Sequence, residues 1–132
     1  NIQKKLRIAA EYQKGLEHIP GLYLPKPHTD GRQVYWMYAV RVVEREFGCD
    51  RSQFASLLMS EYGIQTRTFF YDPQRAFKKM GLYQNTSFPI AEQIADEGLY
   101  LPSGTGTSIT DIRKVIAAVK QIASRFNTSS PR

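Results

Sequence analysis

Gly-Ile-Gln-Thr-Arg-Thr-Phe-Phe-Tyr, residues 63–71, is the stretch whose reading decides the fold. It opens on a glycine and carries one cation, Arg67, among β-branched and aromatic residues. Such a run predicts a strand. Side chains alternate along a strand, so Gln65, Arg67, Phe69 and Tyr71 share one face, and Ile64, Thr66, Thr68 and Phe70 the other. An Arg beside two aromatics is either a ligand-facing surface or an edge-strand Arg with its stem lying over apolar surface.

Immediately upstream, Asp50 with Gln53 three residues later has the form of a capping box. The helix it opens carries Phe54, Leu57, Leu58 and Tyr62 as an apolar stripe, and Gly63 takes the position after its end. Farther back, Val34 to Val43 is the strongest strand signal in the chain, and with Arg41 as its one charged residue it predicts cover on both faces. Tyr35, Trp36 and Tyr38 within it can be read as a platform for stacking bases. The interleaved aliphatic residues point instead to core packing. Before it, Ile2, Leu6, Ala9 and Leu16 recur at helical spacing over residues 1–17. Ile19-Pro20-Gly21 breaks that helix, Leu22 to Leu24 is a short extended piece, and residues 26–33 form a polar loop containing His28.

Downstream, Asp72-Pro73 caps a short helix with Ala76, Phe77 and Met80 on its apolar side, ending at Gly81. Pro89 leads a second helix through Ile90, Ala91, Ile94 and Ala95 to Gly98. Leu99 to Leu101 is a short strand. The turn at 103–107 lacks the Gly-Lys-Ser/Thr of a phosphate loop. Ser108 and Asp111 frame the last helix, whose stripe is Ile112, Val115, Ile116, Val119, Ile122, Ala123 and Phe126. Residues 128–132 read as a polar tail. These elements predict an α+β domain, a small, mostly antiparallel three-stranded sheet covered by helices.

With 132 residues, 42% of them apolar and 23% charged, the chain fits one soluble domain with its own core. The formal charge is +6, but no block of five or six cations occurs, which argues for a solvated basic surface rather than a nucleic-acid interface. No stretch has the ~18 apolar residues of a membrane span. One cysteine excludes an internal disulfide and suits a reducing cytoplasm. Two histidines and one cysteine give no metal-ligand spacing. Cys49 precedes a helix cap, a place that can lower a thiol pKa, but no positioned base accompanies it. No catalytic residue is assigned.

Several stretches follow one another in an order that resembles a known family. They are Ile-Pro-Gly-Leu-Tyr-Leu-Pro (19–25), Val-Tyr-Trp-Met-Tyr-Ala-Val (34–40), residues 63–71, Phe-Pro-Ile-Ala-Glu (88–92), Leu-Tyr-Leu-Pro-Ser-Gly (99–104) and Ser-Ile-Thr-Asp-Ile-Arg-Lys-Val-Ile (108–116). The series is similar to the C-terminal part of the DegT/StrS-type sugar aminotransferases. These are pyridoxal-phosphate (PLP) enzymes of the aspartate-aminotransferase fold, fold type I, that aminate keto sugars carried on nucleotides. The resemblance implies a connector helix at 1–17, a small domain at 18–127 and the tail at 128–132. It implies a cytoplasmic homodimer acting on a nucleotide-sugar, with no membrane and no nucleic acid. It also implies that the Schiff-base lysine and most cofactor contacts lie in a large N-terminal domain that this chain does not include. The chain alone is therefore expected to bind no PLP and to be inactive. A self-associating or binding module built from the small domain is the alternative. By the same resemblance Arg67, Phe69 and Tyr71 face the substrate pocket. The family often places Pro, an apolar residue and His after Phe-Phe-Tyr, and here Asp72-Pro73-Gln74 stands instead, so Gln74 is the expected replacement for that histidine.

Overall fold

The computed structural model describes residues 1–27 and 29–127; His28 and the tail at 128–132 lie outside the described residues. Ten elements follow in order. They are α1 (Ile2–Leu16), β1 (Leu22–Tyr23), β2 (Tyr38–Val42), α2 (Glu44–Phe47), α3 (Arg51–Tyr62), β3 (Arg67–Thr68), α4 (Pro73–Lys79), α5 (Pro89–Glu97), β4 (Gly98–Leu101) and α6 (Ile109–Asn127).

The architecture is α+β, as the sequence predicts, but the sheet has four strands rather than three, in the order β1-β2-β4-β3. Every pairing is antiparallel. The additional strand is the extended piece at Leu22, whose register sets Leu22 against Val42 and Tyr23 against Arg41. Gly21 makes this possible. Its φ of 74° is left-handed, and a Cβ there would stand 2.2 Å from the Phe47 amide nitrogen. β4 runs through the middle and is buried along its whole length.

One core lies between the sheet and the helices. From α1 it takes Ile8, Ala9, Tyr12 and Leu16, and from α6 the stripe Ile112, Val115, Ile116, Val119, Ile122 and Ala123. Ile8 and Tyr12 replace Ile2 and Leu6 of the expected α1 stripe; Ile2 is exposed. The Tyr12 ring stacks on Tyr38 at 4.7 Å, locking α1 onto β2. Arg113 forks onto Glu11 with both bonds at 3.1 Å, joining α6 to α1. α3 is capped as expected, its Gln53 N–H donating to Asp50 Oδ1 at 2.7 Å. The Asp111 N–H likewise donates to Ser108 Oγ at 3.1 Å at the start of α6.

Four expectations fail locally. The strand predicted over 34–43 begins only at Tyr38, because Tyr35 takes a left-handed φ of 47° and interrupts the extended chain. Along β2 burial alternates, so one face of the strand is fully covered rather than both. The strand predicted over 64–71 is paired only at Arg67–Thr68, opposite Tyr100 and Leu99. One further bond, from the Phe69 N–H to the Gly98 carbonyl at 3.2 Å, extends the contact. α4 and α5 bury none of their residues: Phe77 is 41% exposed and Ile90 74%. Ion pairs hold these two helices together, chiefly the fork of Arg75 on Asp96, both bonds at 2.7 Å.

Candidate functional site

The interruption at Tyr35 has a consequence for the residue after it. Trp36 leaves the strand alternation and is 52% exposed. The core role expected for Tyr35, Trp36 and Tyr38 therefore holds for Tyr38, which is buried, and fails for Trp36. The Trp36 ring lies parallel to that of Phe70, at 7° and 6.3 Å between centroids. Phe70 in turn meets Tyr100 edge-on at 6.1 Å, and Phe69 stacks on Tyr100 at 5.1 Å. Trp36, Phe69, Phe70 and Tyr100 thus form one cluster of four aromatic rings.

Beside them is a cleft of about 510 Å³. Its wall includes Lys5 of α1, Trp36, Gln65, Arg67 of β3, Tyr100 of β4, and Ser103. No carboxylate lines it among the described residues. Two cations do, and they differ. The Lys5 Nζ donates to the carbonyls of Trp36 at 2.8 Å and Ser103 at 2.6 Å, so two of its three protons are already committed. Those bonds pin the backbone on both sides of the opening. The Ser103 Oγ accepts from the Tyr38 N–H at 3.2 Å, and the Pro102 carbonyl accepts from the Tyr12 hydroxyl at 2.6 Å. This fastens the turn after β4 to α1 and β2. Arg67, by contrast, is exposed and has no hydrogen bond or ion pair to any described residue. Its charge acts on Tyr100, whose phenol burial pushes up and the guanidinium pulls partly back. A forked cation without a carboxylate, between aromatic rings, suits an anionic ligand that also carries a flat ring.

Of the four residues expected to face a substrate, Arg67 lines the cleft. Phe69 lies half-buried against Tyr100. Tyr71 is exposed, and neither it nor Gln74 is among the cleft's lining residues. The Gln74 N–H donates to the buried Asp72 carboxylate at 3.0 Å, capping α4, while its side-chain Oε1 is buried without a hydrogen-bond partner. Lys5 and Ser103 were not singled out from the sequence, because their part in the wall arises from long-range packing of α1 against the turn after β4. Cys49 is buried, and burial, helped by Asp50 and Glu44, pushes its thiol up to about 11. That is opposite to the lowering that a helix start can produce. Among the described residues, no group of three His, Cys, Asp or Glu side chains is placed to hold a metal ion, and no helix is long and apolar enough to cross a membrane.

Comparison with known proteins gives concordant results. The model of the DegT/DnrJ/EryC1/StrS aminotransferase family matches residues 1–120. The chain is 33% identical over 122 residues to the spore coat polysaccharide biosynthesis protein SpsC of Bacillus subtilis, covering 91% of this chain and 31% of that protein. It is 34% identical over 121 residues to a dTDP-3-amino-3,6-dideoxy-alpha-D-galactopyranose transaminase of Aneurinibacillus thermoaerophilus, again covering 90% of this chain and 31% of the relative. Among solved structures, the aminotransferase TlmJ of Streptoalloteichus hindustanus superposes with a TM-score of 0.80 at 30% identity, over 96% of this chain and 32% of its own length. The chain thus spans about a third of the length of the proteins it matches.

Proposed function

This chain belongs to the DegT/DnrJ/EryC1/StrS aminotransferase family, and from that membership we propose that it is the C-terminal segment of an enzyme that aminates a keto sugar carried on a nucleotide. In this reading α1 is the connector, and residues 18–127 form the small domain that walls one side of the substrate site. The observation that carries the reading is Arg67, a guanidinium without a partner among the described residues, in a cleft that no described carboxylate lines. It binds and orients the anionic part of a nucleotide-sugar.

The family resemblance implies pyridoxal phosphate as cofactor, which would supply the electron sink for transferring the amino group. The donor set of this cleft does not fit that cofactor by itself. The Lys5 ammonium is engaged by two carbonyls, and among the described residues no carboxylate stands in the wall to face a pyridine nitrogen. The cofactor site therefore belongs, in this proposal, to the two thirds of the relatives' length that the chain does not match, and the chain alone does not transaminate.

The test is an assay of the complete native gene product with an amino-acid donor and keto sugars on dTDP, UDP and GDP. Amino-sugar formation is expected, with weakened nucleotide-sugar affinity in Arg67→Ala. No amino sugar from any of the three, or unchanged affinity in Arg67→Ala, overturns the reading. A native product with an intact mass near 15.1 kDa would favour a second reading, a free-standing self-associating module. The exposed apolar residues of α4, α5 and their connection, Phe77, Met80, Tyr83 and Ile90, support a covered face in either case. The large domain or the homodimer partner covers it in the first reading, and a second copy in the other. Sedimentation of the chain alone separates them, since only the second requires a concentration-dependent dimer.

A further inference from the structure

We propose that Trp36 and Arg67 divide the recognition of a nucleoside diphosphate between them, Trp36 stacking on the base and Arg67 holding the diphosphate. The inference rests on the reading of the cleft as a nucleotide-sugar site and assigns its parts. Trp36 carries the base role for three reasons visible in the structure. It is a large aromatic left half open to solvent in a chain whose core could have used it. It is backed by the parallel ring of Phe70, which limits its reorientation. It is also held at its own carbonyl by Lys5, directly after a non-glycine residue in a left-handed conformation. Left-handed backbone at a tyrosine costs stability and persists where the surroundings impose it. Here the interruption turns a strand-forming residue out of the sheet and into the cleft wall.

The division of labour follows from chemistry. The Trp36 ring has no charge to offer a phosphate, and every base has a flat face to offer the ring. The Arg67 fork can take two oxygens of a diphosphate at once, and no protein carboxylate competes for it among the described residues. Lys5 contributes positive potential but few free protons, so it attracts the anion without fixing its orientation. The sugar then extends from the diphosphate away from the base.

Trp36 is the sole tryptophan, so indole fluorescence of the 132-residue chain reports this cleft alone. The chain is titrated with UDP, dTDP, GDP and inorganic pyrophosphate, and binding is checked by calorimetry. Saturable quenching by the nucleoside diphosphates is expected, with pyrophosphate binding more weakly and displacing them. Arg67→Ala should weaken both ligand types by about tenfold or more. Trp36→Leu should weaken only the nucleoside diphosphates, by about tenfold, the scale of one base–aromatic stack. Trp36→Phe should restore most of that loss. Pyrophosphate binding as tightly as the nucleoside diphosphates would overturn the proposal. So would wild-type affinity in a folded Trp36→Leu protein, or no binding by any of the four. The two readings can fail separately. If the complete enzyme aminates nucleotide-linked sugars and Trp36→Leu leaves their KM unchanged, only this inference falls. If nucleoside diphosphates bind as expected and no amino sugar forms, only the transaminase reading falls.

Discussion

Gly98 joins α5 to β4, and replacing it with alanine tests how tightly that corner is packed. Its φ of −82° is open to any residue, so alanine meets no backbone penalty. The space is another matter. A Cβ would stand 2.6 Å from the Ile94 carbonyl oxygen and 2.8 Å from the Phe69 Cβ. One of these neighbours is backbone, so it yields only if α5 moves. Overpacking of this kind costs about 1–3 kcal/mol. Removing a glycine returns up to about 1 kcal/mol through the unfolded chain. The net expectation is a loss of about 1–2 kcal/mol, or roughly 4–8 °C in melting temperature for a domain of this size. Gly106→Ala is the control, because no atom lies within 4 Å of its Cβ position. Thermal melts followed by far-UV circular dichroism measure both. The near-UV signal should also change in Gly98→Ala, since Phe69 stacks on Tyr100. Equal melting temperatures for the two variants would refute the reasoning.

Further expectations concern polar groups. Tyr12→Phe removes the hydroxyl that donates to the Pro102 carbonyl at 2.6 Å and should cost about 1 kcal/mol in urea unfolding; Tyr38→Phe removes a buried hydroxyl without a partner and should be neutral or stabilising. A reversed order would show that Tyr38, not Tyr12, carries the useful bond. The Cys49 thiol, pushed up to about 11 and buried, should resist labelling by a disulfide reagent at pH 8 until urea unfolds the chain. Rapid labelling of the native protein would contradict its place in the core. Hydrogen bonds from Arg125 and Arg113 hold the carboxyls of Glu61 and Glu11 below the usual range. A lowered carboxyl adds stability above its unfolded pKa and loses it as the pH falls through the folded one. The urea midpoint should therefore begin to drop below about pH 4.5, the ordinary glutamate value, and Arg125→Ala should reduce the size of that drop. An unchanged drop in the variant would remove the Glu61 pair from the account.

The sequence made the helices legible wherever caps and period agreed. Asp50 and Gln53, Ser108 and Asp111, and the α6 stripe all took the places expected of them. Burial misled where a local pattern depended on something distant. The apolar sides of α4 and α5 look like core stripes, yet neither helix places a residue in the buried core. The run from Val34 looks like one strand because alternation and composition cannot show a single left-handed residue at Tyr35. That same residue separates Trp36 from the core. Arg67 was visible as the one cation in an apolar stretch. Lys5 was not, since nothing near it in sequence indicates that its ammonium reaches the carbonyl of Ser103.

β4, one of the two inner strands of the sheet, is also its last in sequence. β1 and β2 can pair as soon as both exist, but β3 has no neighbour in the sheet except β4. Contacts between distant positions form late, because a long loop must close before any reward is gained. The order of assembly is therefore written into the topology. Arg67 acquires its position only after residues 98–101 have entered between β2 and β3, so the cleft is among the last features to form. A chain arrested before Gly98 could keep its early strand pair and its first helices while possessing no cleft at all.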